Sequence, residues 1–139
     1  MPNHFNVAPS AKRLSQSLRD VGYSFESAVA DLVDNAITAG STVVEIQIDF
    51  SGRESTIAIR DNGSGMDSET ITEAMRFGSR REYAGGDLGR YGLGLKTASL
   101  SQCRRVEVFS KTVAGPIEGR ALDLDYIEAI DDWLVADIS

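Results

Sequence analysis

The sequence predicts an α+β domain, and its pattern of elements, composition and length support that prediction. Helical and strand patterns come in runs, two helices and then two strands, rather than alternating singly, which is typical of α+β proteins. Hydrophobic residues make up 42% and charged residues 25% of the 139 positions, the balance of an ordinary globular chain. We therefore expect residues 1–139 to form a single domain in which one mixed sheet carries helices on one face.

The first half of the chain contains two predicted helices and a hairpin. A short helix is expected over 10–20, where it follows a proline and ends before a glycine. Ser24 caps a longer helix over 25–39, whose apolar residues recur at helical spacing. Residues 42–50 and 55–60 alternate apolar and polar side chains on either side of a Ser-Gly turn, so they predict an antiparallel hairpin of half-buried strands.

The second half combines helices, strands and one long loop. A short helix capped by Asp67 or Ser68 comes first. Residues 77–90 then hold five glycine or serine residues among charged ones and lack periodicity, which predicts a mobile loop of unusual length. The remaining predicted elements are a helix at 93–102 and strands at 105–111, 117–124 and 133–138.

Composition excludes several classes of function. The net charge of −7 argues against a general nucleic-acid-binding face. The single cysteine, Cys103, excludes an internal disulfide framework, and the single histidine, His4, argues against histidine metal sites and Ser-His-Asp triads. No apolar run reaches the length of a membrane span and the N-terminus lacks a signal-peptide core, so we expect a cytoplasmic protein, or a nuclear one in a eukaryote.

Charge is distributed unevenly along the chain. Residues 76–105 contain seven basic and two acidic side chains, whereas residues 118–139 contain seven acidic side chains and a single arginine. The basic segment either faces one local anion or is a solvated surface, and charge alone does not decide between these interpretations.

The first motif that carries chemistry lies on the long helix. Asp31 and Asn35 are four residues apart, so both side chains project from the same face. The carboxylate can hold a water, and the neutral amide oxygen suits Mg²⁺. The alternative is a polar surface stripe, although the apolar neighbours of Asn35 make an unbonded amide costly there.

The second motif, D-x-G-x-G, directly follows the second predicted strand. Its glycines, Gly63 and Gly65, let the backbone bend tightly or approach a flat ligand. The Asp61 carboxylate can accept a hydrogen bond from an exocyclic amine such as that of adenine. An ordinary Asp-Asn-Gly turn is the alternative, because such turns are common.

The third motif is glycine-rich and begins the helix at 93–102. Gly89, Gly92 and Gly94 expose backbone N–H groups at a helix N-terminus, where the helix dipole favours an anion. Lys96 adds a positive charge. The spacing matches neither a P-loop nor a dinucleotide fingerprint, so this motif alone is a weak signal.

In this order, the three motifs resemble the GHKL ATPases, the superfamily of gyrase B, the ninety-kilodalton heat-shock chaperone, histidine kinases and MutL. The similarity covers about residues 25–111, and the stretches at 77–79 and 91–97 look most like the MORC-type branch. The resemblance implies the Bergerat fold, a two-layer α/β sandwich, and binding of Mg-ATP under a lid at 77–90.

The resemblance also implies roles for individual residues. Asn35 would be the Mg²⁺ ligand, Asp61 would bond the adenine amine, and Asp31 falls where hydrolytic members have a general-base glutamate. Further nucleotide contacts would come from two groups of residues. These are Gly63, Gly65 and Met66 in the second motif, and Gly89, Gly92, Leu93, Gly94, Leu95 and Lys96 in the third.

Departures from the family pattern bear on the expected activity. Asp31 is one methylene shorter than glutamate, which shortens its reach toward a water, and Thr38 stands where the MutL-like pattern often has aspartate. No Gly-Thr pair follows the third motif, and no transducer-like region with a phosphate-binding lysine is present. We therefore expect a fragment of a longer protein or a minimal module, with slow hydrolysis by this chain alone.

The predicted function is an ATP-binding module with Mg-dependent hydrolysis that acts as a nucleotide-gated conformational or dimerisation switch. One alternative is a module that binds ATP without significant hydrolysis. The other is a histidine-kinase-like phosphotransfer domain, which ranks last because no helix with a phospho-acceptor histidine precedes the motifs. The expected ligands are ATP or ADP with Mg²⁺. A homodimer would form through downstream regions, and no membrane or nucleic-acid partner is indicated.

Overall fold

The computed structural model describes residues 1–20, 22–76 and 87–139, and at 87–94 it describes the backbone alone. Its helices and strands follow one another in the order α1 (Ala11–Arg19), α2 (Phe25–Thr38), β1 (Val44–Asp49), β2 (Thr56–Asp61), α3 (Ser68–Met75), α4 (Asp87–Gln102), β3 (Arg105–Ser110), β4 (Glu118–Asp123), α5 (Leu124–Ile130) and β5 (Ala136–Asp137). Helices and strands come in runs, so the predicted α+β class is confirmed.

The strands form two antiparallel sheets in the described part of the chain, where the sequence predicted one mixed sheet. β1 pairs with β2, with Ile46 opposite Ile59 and Ile48 opposite Ile57. In the second sheet, β4 lies between β3 and β5. Short connections join β1 to β2 and β3 to β4, and such connections permit only antiparallel pairing. β4 and β5 are also antiparallel, although the longer connection between them contains α5.

Polar residues begin three of the helices as the sequence predicted. The side-chain oxygen of Ser10 accepts a hydrogen bond from the backbone N–H of Arg13, and that of Ser24 accepts one from Ser27. Asp67, rather than Ser68, caps α3 by accepting from the N–H of Thr70. These bonds satisfy backbone donors that the first turn of a helix leaves without partners, which fixes where each helix begins.

The start of α4 differs from the sequence-based expectation. The sequence predicted a helix from residue 93, preceded by a loop over 77–90. The structure begins α4 at Asp87, so residues 87–90 form its first turn. The rest of the predicted lid, residues 77–86, lies outside the described residues. Glycine disfavours helix by about 1 kcal/mol relative to alanine, and this weak local preference led the sequence analysis to begin the helix too late.

Helix α5 was missed by the sequence analysis. Asp123 caps it by accepting from the N–H groups of Asp125 and Tyr126, while Leu124 and Ile127 are buried. An Asp cap followed by apolar residues three apart is a helix signal, but a helix of seven residues gives little periodicity to detect. The neighbouring strand prediction at 133–138 shrinks to the two residues of β5.

The core lies between the helices and the three-stranded sheet. Met75 of α3, Leu100 of α4, Leu122 of β4 and Ile127 of α5 are completely buried and belong to one cluster. Trp133 packs against this cluster, and its indole N–H donates to the backbone oxygen of Met75 at 3.1 Å. The core therefore holds α3 and α4, the two helices on either side of residues 77–86.

A buried arginine also holds α3 in place. Arg120 of β4 is 7% exposed, and its guanidinium donates to Ser68 Oγ at 2.9 Å and to Thr72 Oγ1 at 3.0 Å. The same side chain donates to the backbone oxygen of Gly119 at 2.8 Å and to Asp137 Oδ1 at 3.2 Å. These hydrogen bonds compensate for burying the charge and connect α3 to the second sheet.

The β1–β2 hairpin is more exposed than its pattern predicted. Its register places Ile46, Ile48 and Ile57 on one face, and these side chains are 46%, 41% and 38% exposed. The prediction of half-buried strands at residues 42–50 is therefore only partly met, because α2 packs mainly on α4 rather than on this hairpin.

Candidate functional site

The polar face of α2 forms the centre of the candidate site. Asp31 and Asn35 lie one turn apart on this helix, and both are half-buried, while Ala28 and Ala36 are buried. At 1.5 Å per residue, the four-residue spacing separates the two side chains by about 6 Å along the helix axis. The predicted sharing of one face follows from this helix, and the ligands assigned to the two residues remain predictions.

The C-terminal end of α2 contacts the D-x-G-x-G turn that follows β2. Ser41 Oγ donates to Asp61 Oδ1 at 3.0 Å, and the backbone N–H of Gly63 donates to the same oxygen at 2.8 Å. The N–H of Ser64 donates to the backbone oxygen of Ala39 at 3.0 Å. The Asp61 carboxylate is exposed, so Oδ1 is held by the protein while the group stays accessible to a ligand.

Asn62 reinforces this turn, a role that the sequence analysis did not assign. Its Oδ1 accepts from the backbone N–H groups of Thr42 and Val43 at 2.9 and 3.0 Å, and its Nδ2 donates to Thr42 Oγ1 at 2.9 Å. The side chain thus bridges the turn and the segment before β1. The signal was the Asp-Asn-Gly sequence itself, in which Asn commonly bonds to nearby backbone.

The two glycines of the motif are required by the protein's own packing. A Cβ on Gly63 would lie 2.8 Å from the Ala39 Cβ and from Ser41 Oγ. Gly65 has a φ of +73°, and a Cβ there would lie 1.8 Å from the backbone oxygen of Lys111. Close approach therefore explains both glycines, and their predicted contact with a base remains a prediction.

Met66 follows this turn and is half-buried. Its backbone N–H donates to Ser110 Oγ at 2.8 Å, which attaches the turn to the end of β3. The turn is thus fixed on two sides, by the end of α2 and by the end of β3. The predicted packing of the Met66 side chain near adenine is not tested by these contacts.

Asp31, in the N-terminal half of α2, is held by a side chain from the segment that precedes the helix. The Tyr23 hydroxyl donates a short hydrogen bond to Asp31 Oδ2, and this bond, together with burial, raises the pKa of Tyr23 above its usual value. Gln102 Nε2 at the end of α4 donates to the backbone oxygen of Tyr23 at 2.8 Å. An open pocket of about 460 Å³ adjoins this pair and is lined by Gly22, Tyr23, Ser24, Ser27 and Asp31.

Tyr23 and Gln102 were not identified from the sequence. Tyr23 lies outside α2 and eight residues from Asp31, a spacing that no helical pattern singles out. Gln102 is distant in sequence and reaches Tyr23 only because α4 packs on α2.

The glycine-rich motif lies inside α4 rather than before it. Gly89, Gly92 and Gly94 are the third, sixth and eighth residues of a helix that begins at Asp87. Gly89 therefore lies in the first turn, and the expectation that Gly92 and Gly94 also open the helix is wrong. Beyond the fourth residue of an α-helix, backbone N–H groups donate within the helix. The amides of Gly92 and Gly94 are therefore committed here, and the free amides lie at residues 87–90.

The next residues of α4 turn toward the interior. Leu95 is half-buried and packs against the core, whereas the side chain of Leu93 is outside the described part. Lys96 is 2% exposed, and its Nζ has no hydrogen-bond partner among the described residues. Burial lowers the pKa of Lys96 to about 8, with a smaller opposing effect from Glu73. Such a buried cation is costly unless an anion compensates for it.

The chain's oxygen ligands limit how a metal could be held. In the described residues, no group of three or more His, Cys, Asp or Glu side chains could hold a metal ion. Mg²⁺, however, is commonly bound through one or two protein oxygens together with substrate phosphates. The half-buried amide of Asn35 and the buried cation of Lys96, whose Nζ has no hydrogen-bond partner among the described residues, fit an ion that arrives with a polyphosphate.

The comparison with known proteins identifies the family. Residues 23–139, most of the chain, match the family described as histidine kinase-, DNA gyrase B-, and HSP90-like ATPases. The chain therefore belongs to this family, the GHKL ATPases, which confirms the sequence-based resemblance and supports ATP binding. The matched region contains every residue of the site described above except Gly22, which lines the pocket beside Tyr23.

Similar proteins fall into two groups. Protein MICRORCHIDIA 1 of Arabidopsis thaliana is 32% identical over 120 residues, which cover 83% of this chain and 18% of the relative. Protein MICRORCHIDIA 6 of the same plant is 36% identical over 89 residues, which cover 60% and 13%. The DNA mismatch repair protein MutL of Chromohalobacter salexigens is 38% identical over 100 residues, which cover 67% and 15%. The chain thus spans less than a fifth of each of these relatives.

Among the helices of the described residues, none combines the length and apolar character needed to cross a bilayer.

Proposed function

We propose that this chain binds ATP together with Mg²⁺ along α2 and that the bound nucleotide switches its conformation. One observation carries the proposal: a polar face of α2 connects the Asp61 turn at its C-terminal end to Asp31 in its N-terminal half, with Asn35 between them. In this order, Asp61 would face the adenine base, Asn35 the metal-bound phosphates and Asp31 the attacking water, as an ATPase needs. The polar face ends at a turn that seven backbone and side-chain hydrogen bonds fix, which supports a binding site over an ordinary surface stripe.

At the base-binding end, the Asp61 carboxylate acts as the acceptor for an exocyclic amine. Its Oδ1 is already oriented by Ser41 and Gly63, so the remaining acceptor positions face outward with little freedom. Adenine presents an amine where guanine presents a carbonyl. The proposal therefore includes a preference for adenine.

At the phosphate end, α4 supplies positive potential. α4 packs along α2, and Gln102 at its C-terminal end contacts Tyr23 just before α2, so the two helices run in opposite directions. This arrangement brings the glycine-rich half of α4 toward the half of α2 that contains Asn35. Free amides at a helix start and its dipole attract anions, and Lys96 adds a cation that lacks a hydrogen-bond partner among the described residues.

Asn35 would hold the Mg²⁺ through its amide oxygen, with the phosphates supplying further ligands. The bound ion would neutralise phosphate charge. Asp31, one turn away, orients or deprotonates a water beside the terminal phosphate. We expect slow hydrolysis by this chain, because the Asp31 side chain has a shorter reach toward the water than a glutamate would have.

Titration calorimetry with Mg-ATP tests the binding site. Asn35→Ala should weaken Mg-ATP binding by at least about tenfold, the range seen for perturbed metal sites. In EDTA the variant and the wild type should bind ATP equally, because the ion is absent from both. Thr38→Ala, an exposed change on the same helix, is the matched control. Equal Mg-ATP affinity for Asn35→Ala and wild type would reject the assignment.

A second candidate function is nucleotide binding without hydrolysis. It is favoured by the short Asp31 side chain, which has less reach toward a water than a glutamate would have. Phosphate release measured over hours with excess protein separates the two functions: cleavage above the buffer rate that Asp31→Asn abolishes supports hydrolysis, and its absence supports binding alone.

The switch that we propose would act on self-association, as in a nucleotide-dependent homodimer. Light scattering with and without a non-hydrolysable ATP analogue measures the mass directly. An unchanged mass is the result expected if the homodimer forms through downstream regions, and a doubled mass would place the contact within residues 1–139.

A further inference from the structure

We propose that Tyr23 is a positioning residue whose hydroxyl holds the Asp31 carboxylate in the orientation that accepts a proton from the attacking water. This inference rests on the proposed function, because it takes Asp31 as the base in ATP hydrolysis. It adds a residue that neither the motifs nor the family match assigns.

Tyr23 is itself fixed at both ends. Its hydroxyl donates to Asp31 Oδ2, and its backbone oxygen accepts from Gln102 Nε2 at 2.8 Å. The next residue, Ser24, caps α2, so the backbone that carries the tyrosine is attached to the helix that carries Asp31. The ring therefore connects the end of α4 to the Asp31 carboxylate.

The chemistry of this contact is that of a base held by a hydrogen-bond donor. The pKa of Tyr23 is raised, first by its hydrogen bond to Asp31, so the phenol stays protonated and keeps donating at neutral pH. A carboxylate has about four acceptor positions on its two oxygens, so the bond to Oδ2 leaves room for a water. Orientation of the base by a third group is a recurring feature of activated water and nucleophiles.

In the step that Tyr23 serves, the water oxygen bonds to the terminal phosphorus while the bond from that phosphorus to the ADP oxygen breaks. The electron pair of the broken bond leaves with ADP, and one water proton passes to Asp31. Because Asp31 has a short side chain, a misdirected carboxylate cannot compensate by extending, and its direction matters more than it would for glutamate.

The surroundings favour this role over that of a purely structural contact. The pair lines an open pocket of about 460 Å³ together with Gly22, Ser24 and Ser27, so water reaches it from outside. A hydroxyl and a carboxylate at an open pocket are both able to bond to water, which makes their contact a weak source of stability. The contact therefore contributes mainly direction to the carboxylate.

The test uses the 139-residue chain under single-turnover conditions with radiolabelled ATP. Tyr23→Phe retains the ring and removes the hydroxyl. The rate of cleavage should fall about tenfold, while Mg-ATP affinity, measured by calorimetry, should stay within about twofold. The reason is that the Tyr23 hydroxyl contacts the general base Asp31 and not the nucleotide. Tyr126→Phe, which alters an exposed tyrosine on α5, is the matched control and should cleave at the wild-type rate.

A second comparison separates positioning from structure. In urea, Tyr23→Phe should unfold at about the same denaturant concentration as the wild type, because the contact is a weak source of stability. A fall in the unfolding midpoint that accompanies the loss of rate would overturn the proposal, as would an unchanged rate for Tyr23→Phe. Gln102→Ala provides a variant that keeps the tyrosine, and it should lower the rate severalfold with unchanged affinity.

Failure of the inference is distinguishable from failure of the proposed function. If wild type binds Mg-ATP but Tyr23→Phe and Gln102→Ala both cleave it at the wild-type rate, only the role of Tyr23 is overturned. If wild type binds but cleaves no ATP, this inference and hydrolysis are both overturned, and nucleotide binding stands. If wild type binds no nucleotide, the proposed function itself is wrong.

Discussion

Two acidic side chains are held in different ways: Asp61, in the turn beside the C-terminal end of α2, and Asp31, in the N-terminal half of that helix. At the C-terminal end, Asp61 sits in a turn that is fixed by Ser41, Asn62 and two glycines without room for a side chain. At the N-terminal end, Asp31 accepts from the Tyr23 hydroxyl beside an open pocket. One end is thus determined by many contacts and the other by few.

This difference matches what each end would do in an ATPase. Recognition of a base requires an acceptor at a fixed position, and a rigid turn provides it before the ligand arrives. A general base needs to adjust to its water as the phosphates settle, since catalytic hydrogen bonds often tighten only in the substrate complex. Substitutions at the first end should therefore affect folding, and substitutions at the second should affect rate.

Gly65→Ala should give the largest effect, because it combines backbone strain with a clash. The φ of +73° disfavours alanine, and the new Cβ would lie 1.8 Å from the Lys111 oxygen. We expect a loss of about 3 kcal/mol or more in the free energy of unfolding, measured with urea. Gly52→Ala has a φ of +61° with nothing within 4 Å, so it isolates the strain and should cost about 1 kcal/mol. Equal losses would show that the turn is not held against β3.

Asp31→Asn should abolish hydrolysis without loss of folding. Removal of the base is expected to lower the single-turnover rate by on the order of 10²-fold or more, while Mg-ATP affinity is retained. Asp31→Glu should keep or raise the rate, because it restores the missing methylene. Asp34→Asn, an exposed change on the same helix, is the control. Full activity of Asp31→Asn would place the base elsewhere, with Asp34 as the next candidate.

Asp61→Asn should mainly change the preference for adenine over guanine nucleotides. An amide keeps an oxygen that can accept from Ser41 and Gly63, so the turn should survive. Its NH₂ group would oppose the adenine amine, which should weaken ATP binding by about 1–3 kcal/mol and reduce the preference for ATP over GTP. Competition of ATP and GTP for a bound ATP analogue measures this preference, and Asp49→Asn at the exposed end of β1 is the control. Wild-type protein that binds GTP as well as ATP would contradict the role of Asp61.

The parts of the fold that the sequence predicted are those in which local signals agree. Ser10, Ser24 and Asp67 mark helix starts by their side-chain oxygens, and the alternation around the Ser-Gly turn identifies the hairpin and its pairing. The prediction of where α4 begins was wrong because glycines weaken the local helical signal, whereas packing of α4 on α2 and α3 stabilises the helix. Burial of the hairpin failed for a related reason, since a strand pattern does not specify what covers its apolar face.

The site shows the same division between local and distant information. Asp31, Asn35 and Asp61 could be proposed from the sequence because their spacing and position lie within single elements. The contacts that hold two of them, from Tyr23 and Ser41, depend on how elements meet. Tertiary contacts of that kind leave no periodic pattern in the chain, so they could be found only from the structure.

Lys96 supplies the smallest expected effect and a comparison of stability with binding. Below pH 8 the ammonium is charged in both folded and unfolded chains, and the folded protein bears the cost of burying it. Between pH 8 and the ordinary lysine pKa, only the unfolded chain keeps the proton, so stability should rise with pH in that range. Lys96→Met should remove this rise and stabilise the protein below pH 8 by about 1–2 kcal/mol.

The same substitution should weaken ATP binding by about tenfold, because it removes a charge that a phosphate would compensate. Urea unfolding below and above pH 8, combined with calorimetry, measures both effects, and Lys12→Met on the exposed side of α1 is the control. If Lys96 binds ATP, Lys96→Met should increase stability and weaken ATP binding. If Lys96 instead pairs with Glu73, Lys96→Met should lower stability and leave ATP binding unchanged. The second outcome would remove Lys96 from the phosphate end of the site and leave only the amides of α4 there.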